Sequence, residues 1–211
     1  YGIGGPGGNI RSRYEGIPWF SRDAFACGGP MFPVEIIDAV EAKAWDMIWN
    51  KGRGGKVHLT DPEGTDLTYT LWEDYFTGTW RQFTSKPVAG HLMGHPTPPR
   101  IEKDDACGVI AGTTNHASCP FPHIKVYLEN NKLVKIEGGA KYGEGWRTLM
   151  NETKNLRYPD HQGNGLFWLW EVAIGTNPKY LRPKNAFTVK VGGTMIERRR
   201  SGVIHCGIGT T

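Results

Sequence analysis

The sequence predicts an α+β domain over residues 34–211, preceded by an extended arm. Three observations carry that prediction: an amphipathic helix near the start, two antiparallel hairpins, and an apolar run at 166–174 that suits a further helix. The expected architecture is therefore an arm and a helix followed by a mixed sheet with hairpins. A chain of 211 residues is long enough to bury a sizeable core without staples.

Residues 1–33 are rich in glycine, proline and aromatic side chains, as in Gly4-Gly5-Pro6-Gly7-Gly8 and Ile17-Pro18-Trp19-Phe20. They show neither helical nor strand periodicity, which predicts a wrapping arm or loop. Pro33 suits a first helical position, and Val34, Ile37, Val40, Ala44, Trp45 and Ile48 recur at three- and four-residue spacing. With Gly52 as a stop, this predicts a helix over 34–50. Residues 56–60 and 65–71 favour strands and flank the turn Asp61-Pro62-Glu63-Gly64, a first hairpin.

Residues 84–100 read as a loop carrying His91 and His95, where Gly90, Gly94 and Pro96 oppose the helix that would bring the two rings to one face. A short buried strand is expected at 107–112. The alternating segments 123–129 and 132–137 flank Asn130-Asn131, a pair that tolerates the positive φ of a tight turn, and predict a second hairpin. Trp146, Leu149, Met150 and Thr153 point to a second helix, 166–174 to a third, and 186–191 and 202–206 to closing strands.

Composition excludes several function classes. A formal net charge of +4 is too small to mark a nucleic-acid partner, and the one dense basic run, Arg198-Arg199-Arg200, follows Glu197 and reads as a solvated strand or turn. Cys27, Cys107, Cys119 and Cys206 form no CxxC pair, so neither a zinc knuckle nor a redox motif is present, and they read as reduced thiols. No apolar stretch approaches the roughly 20 residues that span a bilayer, and no leader opens the chain, so no membrane partner and a cytoplasmic location are expected. The chain begins at Tyr1 without methionine and stops just after a core strand, which raises the expectation of a longer polypeptide or a two-chain enzyme.

Glu171 is the one carboxylate within Leu166-Phe167-Trp168-Leu169-Trp170-Glu171-Val172-Ala173-Ile174. A carboxylate among apolar neighbours loses hydration at a cost of several kcal/mol unless a proton, a cation or a metal compensates. The plainer alternative is a glutamate on the single wet stripe of a buried helix. His205 stands in Val203-Ile204-His205-Cys206-Gly207-Ile208-Gly209, an apolar strand context where an imidazole needs a specific partner, either a backbone carbonyl or a metal shared with Glu171. His116 and His123 flank the Pro120-Phe121-Pro122 loop and read as ligands, substrate contacts or rings packed on proline. Asp66 and Glu63 read as turn and edge residues. GxxxxGK[ST], HExxH, GxSxG and a strand-linked GxGxxG are all missing from the sequence.

Three blocks together resemble the thermophilic aminopeptidase T/S family of metallopeptidases. They are the helix at 34–50 with Val57-His58-Leu59-Thr60-Asp61-Pro62-Glu63-Gly64-Thr65-Asp66-Leu67-Thr68, then Trp170-Glu171-Val172-Ala173-Ile174-Gly175-Thr176-Asn177, then Ile204-His205-Cys206-Gly207-Ile208-Gly209. The resemblance implies that Glu171 and His205 bind a pair of divalent metals, zinc, cobalt or manganese, which activate water for aminopeptidase-type hydrolysis of a peptide or small-molecule substrate. The family's first ligand, a glutamate in a Gly-Glu-Val-like segment, has no counterpart at 114–120, where His116 is the replacement candidate. Its later tyrosine and His-x-Asp-like pair have none either, so a second chain, a further segment or a homo-oligomer would complete the site. A relative on the same fold, 2,5-dihydroxypyridine 5,6-dioxygenase, implies instead a single Fe(II) held by two histidines and a carboxylate. A non-catalytic subunit is the third alternative.

Overall fold

The computed structural model describes residues 33–73, 91–94, 96, 104–114, 120–158, 161, 163–179 and 200–209. Among these, helix α1 spans Val34–Trp45 and runs on as a π-helical turn, Asp46–Asn50, whose Trp49 is buried. Strands β1 (Lys56–Thr60), β2 (Asp66–Thr70), β3 (His91–Met93), β4 (Cys107–Thr114), β5 (Pro120–Glu129) and β6 (Lys132–Gly138) follow. Helix α2 (Ala140–Thr153) then leads to β7 (Trp168–Gly175) and β8 (Ile204–Gly209).

The eight strands form one sheet in the order β1-β2-β4-β5-β6-β7-β3, with β8 paired to β7. Every strand pair in it is antiparallel. The α+β expectation is thereby corrected to a mainly-β fold, and the mixed sheet to an antiparallel one. The overturning element is 166–174: no third helix forms there, and Trp168–Gly175 is a strand. Trp168, Leu169, Val172 and Ala173 are all buried. A strand covered on both faces shows a continuous apolar run in place of alternation, and a run of this length bounded by Gly165 and Gly175 belongs to a strand.

The two expected hairpins form. The β1–β2 hairpin pairs Lys56 with Thr70 through Thr60 with Asp66. In the β5–β6 turn Asn130 and Asn131 take φ of 48° and 64°. Asn131 is fully buried, and its amide oxygen accepts the Ala106 N–H at 2.9 Å while its carbonyl accepts the Leu169 N–H at 2.7 Å. One turn residue thus ties β4 and β7 to the hairpin with its own polar groups satisfied. The segment at 84–100, read as a loop, contributes β3, which pairs His91 with Gly175 through Met93 with Ala173. The arm at 1–32 and the strand expected at 186–191 lie outside the described residues.

The core gathers Leu67, Tyr69 and Leu71 of β2 and its end, Ile124, Val126 and Leu128 of β5, and Leu169 and Val172 of β7. Ile204, Cys206 and Ile208 of β8 pack against it. Each fully buried aliphatic side chain contributes about 1.5–3 kcal/mol, so the strand carrying Glu171 is anchored on both sides of that residue.

Candidate functional site

Antiparallel pairing of β7 with β8 builds the site. Ala173 faces His205 and Glu171 faces Gly207 across the ladder. Glu171 and His205 therefore project on one face of the pair as diagonal neighbours, within reach of long side chains. A register shift between Leu169 and Glu171 marks a bulge, which lets Leu169 and Val172 both reach the core while Glu171 stays off it.

Glu171 Oε1 lies 3.7 Å from His205 Nε2, with the side chains 29% and 12% exposed. That separation is too long for a hydrogen bond. Two donors each about 2.1 Å from one cation stand at most about 4.2 Å apart, so a carboxylate oxygen and an imidazole nitrogen at 3.7 Å fit a shared divalent ion. Oxygen and imidazole donors suit zinc, iron or manganese. Among the described residues no third histidine, cysteine, aspartate or glutamate joins them as a metal-binding cluster. His116, the third candidate ligand, lies outside the described residues.

Gly207 is the partner that sequence reasoning missed. A methyl group there would stand 2.9 Å from Glu171 Cβ and 3.4 Å from its Oε2. The missing side chain at 207 leaves the space that the Glu171 carboxylate fills. Cys206, on the opposite face of β8 among core residues, has its thiol pushed up to about 12 by burial, with the Asp61 and Glu171 charges adding to the effect. It is a neutral thiol at physiological pH and supplies no thiolate.

His58, His123 and His161 have local partners. His123 Nε2 donates to the Glu63 carbonyl at 2.8 Å, and His58 Nε2 meets Asp66 Oδ1 at 2.8 Å on the exposed face of the first hairpin. Asp66, expected as a turn or edge residue, stands on β2 between β1 and β4. His161 is buried within a box of Tyr158, Trp168 and Trp170 rings. His91 sits on β3, and His95 is outside the described residues.

His205 also borders a cleft of about 460 Å³ between the β1–β2 turn, β4, β5, α2 and β8. Phe121, Tyr142 and Trp146 line it, as do Asp61 and Glu63 of the β1–β2 turn. This cleft was also missed, because it draws one or two residues from each of several distant segments and no local spacing announces it. The only available signal was the acidic turn Asp61-Pro62-Glu63-Gly64.

No family model and no curated protein matches the chain, so the aminopeptidase T/S resemblance gains no support from either comparison. Among solved structures, the chain is similar to 2,5-dihydroxypyridine dioxygenase from Pseudomonas putida KT2440. The match has a TM-score of 0.52 at 15% identity, over 86% of this chain and 50% of that one. The chain thus spans half the length of that structure. At this identity the likeness is one of fold alone.

Proposed function

We propose that the chain carries part of a mononuclear metal centre, with Glu171 and His205 as ligands, in an enzyme of the non-haem iron dioxygenase kind. The observation that carries this reading is the 3.7 Å approach of Glu171 Oε1 to His205 Nε2 from two adjacent strands. Iron sites of this kind take two histidines and one carboxylate. Glu171 and His205 supply one of each, and His116 is the candidate for the third, with a partner subunit or a further segment as the other source. The similar fold of a dioxygenase adds to the reading without establishing it.

An iron(II) ion held there would supply Lewis acidity and open positions for two reactants. The chain's own residues do the rest. Glu171 brings negative charge to offset the cation in a half-buried setting, and the apolar β7–β8 surroundings limit hydration around it. Gly207 keeps the carboxylate aimed along β8 toward His205. A hydrolase with a pair of metals needs more donors than these two, which makes the single-ion reading the better supported. A cytoplasmic, reducing setting suits both iron(II) and the free thiols of Cys107 and Cys206.

The test is anaerobic titration of the full chain with Fe(II), Zn(II) and Mn(II), followed by oxygen uptake with 2,5-dihydroxypyridine as the first substrate tried. One iron per chain or per assembled site, lost in Glu171→Gln and in His205→Ala, is expected. Two metals per site with peptide hydrolysis would displace this reading in favour of the aminopeptidase.

A further inference from the structure

The cleft of about 460 Å³ falls within the size range of small-molecule sites. Its wall is a row of rings: Phe121 and Tyr142 stack with centroids 4.3 Å apart, and Trp146 follows 5.7 Å from Tyr142. All three are half-buried and border the opening. Its other notable feature is charge. Asp61 and Glu63 of the β1–β2 turn both line it, whereas Arg200 is the one lysine or arginine among its described lining residues. Lys125 runs alongside Gly64 and is not among the lining residues.

The two carboxylates are held in place. Asp61 Oδ1 accepts the Glu63, Gly64 and Thr65 N–H groups at 2.8, 3.0 and 3.1 Å, which rigidifies the turn. The Thr113 hydroxyl lies 3.2 Å from each Glu63 carboxylate oxygen, fixing that group against β4. We propose that this cleft binds a small organic cation, an ammonium or guanidinium group, against the aromatic wall of Phe121, Tyr142 and Trp146 and beside the carboxylates of Asp61 and Glu63. An aromatic face carries negative potential and attracts a cation, most where water is excluded. The neighbouring carboxylates add Coulombic attraction of the same sign. An anion of the same shape meets repulsion from both, and a neutral molecule gains only apolar contact. The proposal goes beyond the metal centre: Glu171 is not among the lining residues, and His205, which borders the cleft, makes no contact that the proposal uses.

Calorimetric titration of the full chain with three probes of similar shape tests it: benzyltrimethylammonium, benzyl alcohol and benzoate. The ammonium is expected to bind at least tenfold more tightly than the alcohol and more tightly still than benzoate. Glu63→Gln, an exposed turn substitution that leaves the core untouched, is expected to weaken it at least threefold, and Tyr142→Leu at least fivefold, with far-UV circular dichroism unchanged. Benzoate binding as well as the ammonium, ammonium binding indifferent to both substitutions, or no binding by any probe overturns the inference. If the ammonium titration fails while metal uptake through Glu171 and His205 persists, this inference falls alone and the metal reading stands.

Discussion

Glu171 and Gly207 face each other across one rung of the β7–β8 ladder, and the size of one governs the placement of the other. Gly207→Ala would push a methyl to 2.9 Å from Glu171 Cβ. No positive φ is recorded at Gly207, so alanine suits the backbone and the strain falls on the glutamate. We expect Gly207→Ala to fold, with denaturant stability within about 2 kcal/mol of the parent, and to bind Fe(II) or Zn(II) at least tenfold more weakly in a competition assay. Unchanged metal affinity would separate Gly207 from the site. Asp104 offers a test away from the site. Burial and the neighbouring Asp105 charge push its carboxyl up to about 6 from 3.8, against an opposing hydrogen bond from its own backbone. The folded chain therefore holds that proton more tightly than the unfolded one, and Asp104's contribution to stability falls as pH rises from about 4 to 6. Asp104→Asn should remove that slope and raise stability at pH 7 on the order of 1 kcal/mol after allowance for solvent screening, as read by urea unfolding at pH 4 and pH 7. The meeting of Glu171 with His205 was partly legible in the residues: Glu171 is the one carboxylate and His205 the one imidazole of their apolar segments, and burial favours such groups finding each other. The role of Gly207 was not, because it depends on which residue stands opposite in the register.

At the scale of elements, β7 teaches the most. Its apolar run lacks the two-residue alternation of β5 and β6, since both its faces are covered, and without that alternation a helix and a central strand look alike. Trp168, Trp170, Val172 and Ile174, which favour strands, together with glycines at both ends, were the discriminating signs. Hairpins were read correctly because their turns carry the chemistry a turn demands, as at Asn130 and Asn131. The β2–β4 junction relies on a glycine in the same way. Gly108 has a φ of 126°, and a methyl there would lie 2.1 Å from the carbonyl oxygen of Asp66, the residue before its ladder partner Leu67. Gly108→Ala is expected to cost at least about 3 kcal/mol in urea unfolding, while Gly145→Ala on α2, where a methyl meets nothing within 4 Å, should be neutral or stabilising. Equal effects of the two would show that the close approach at Gly108 does not constrain the strand pair.

For the whole molecule, two α-helices accompany an eight-stranded antiparallel sheet among the described residues. None of these helices is long and apolar enough to cross a membrane. Buried Glu41, 1% exposed, accepts from Thr176 Oγ1 at 3.2 Å and so joins α1 to the segment just after β7. The helix near the chain start is thereby bonded to the strand that bears the site. A cation that binds the folded state alone adds about 2.7 kcal/mol at one hundred times its Kd, which for a chain of this size raises Tm by several degrees. The measurement that bears most directly on the shared cation is that thermal shift, recorded anaerobically with Fe(II) and with Zn(II) on the parent chain, Glu171→Gln and His205→Ala, with bound metal counted by elemental analysis. A shift and about one bound ion in the parent, both lost in each variant, is the expected result. Full metal occupancy and an undiminished shift in both variants would contradict a cation held between Glu171 and His205.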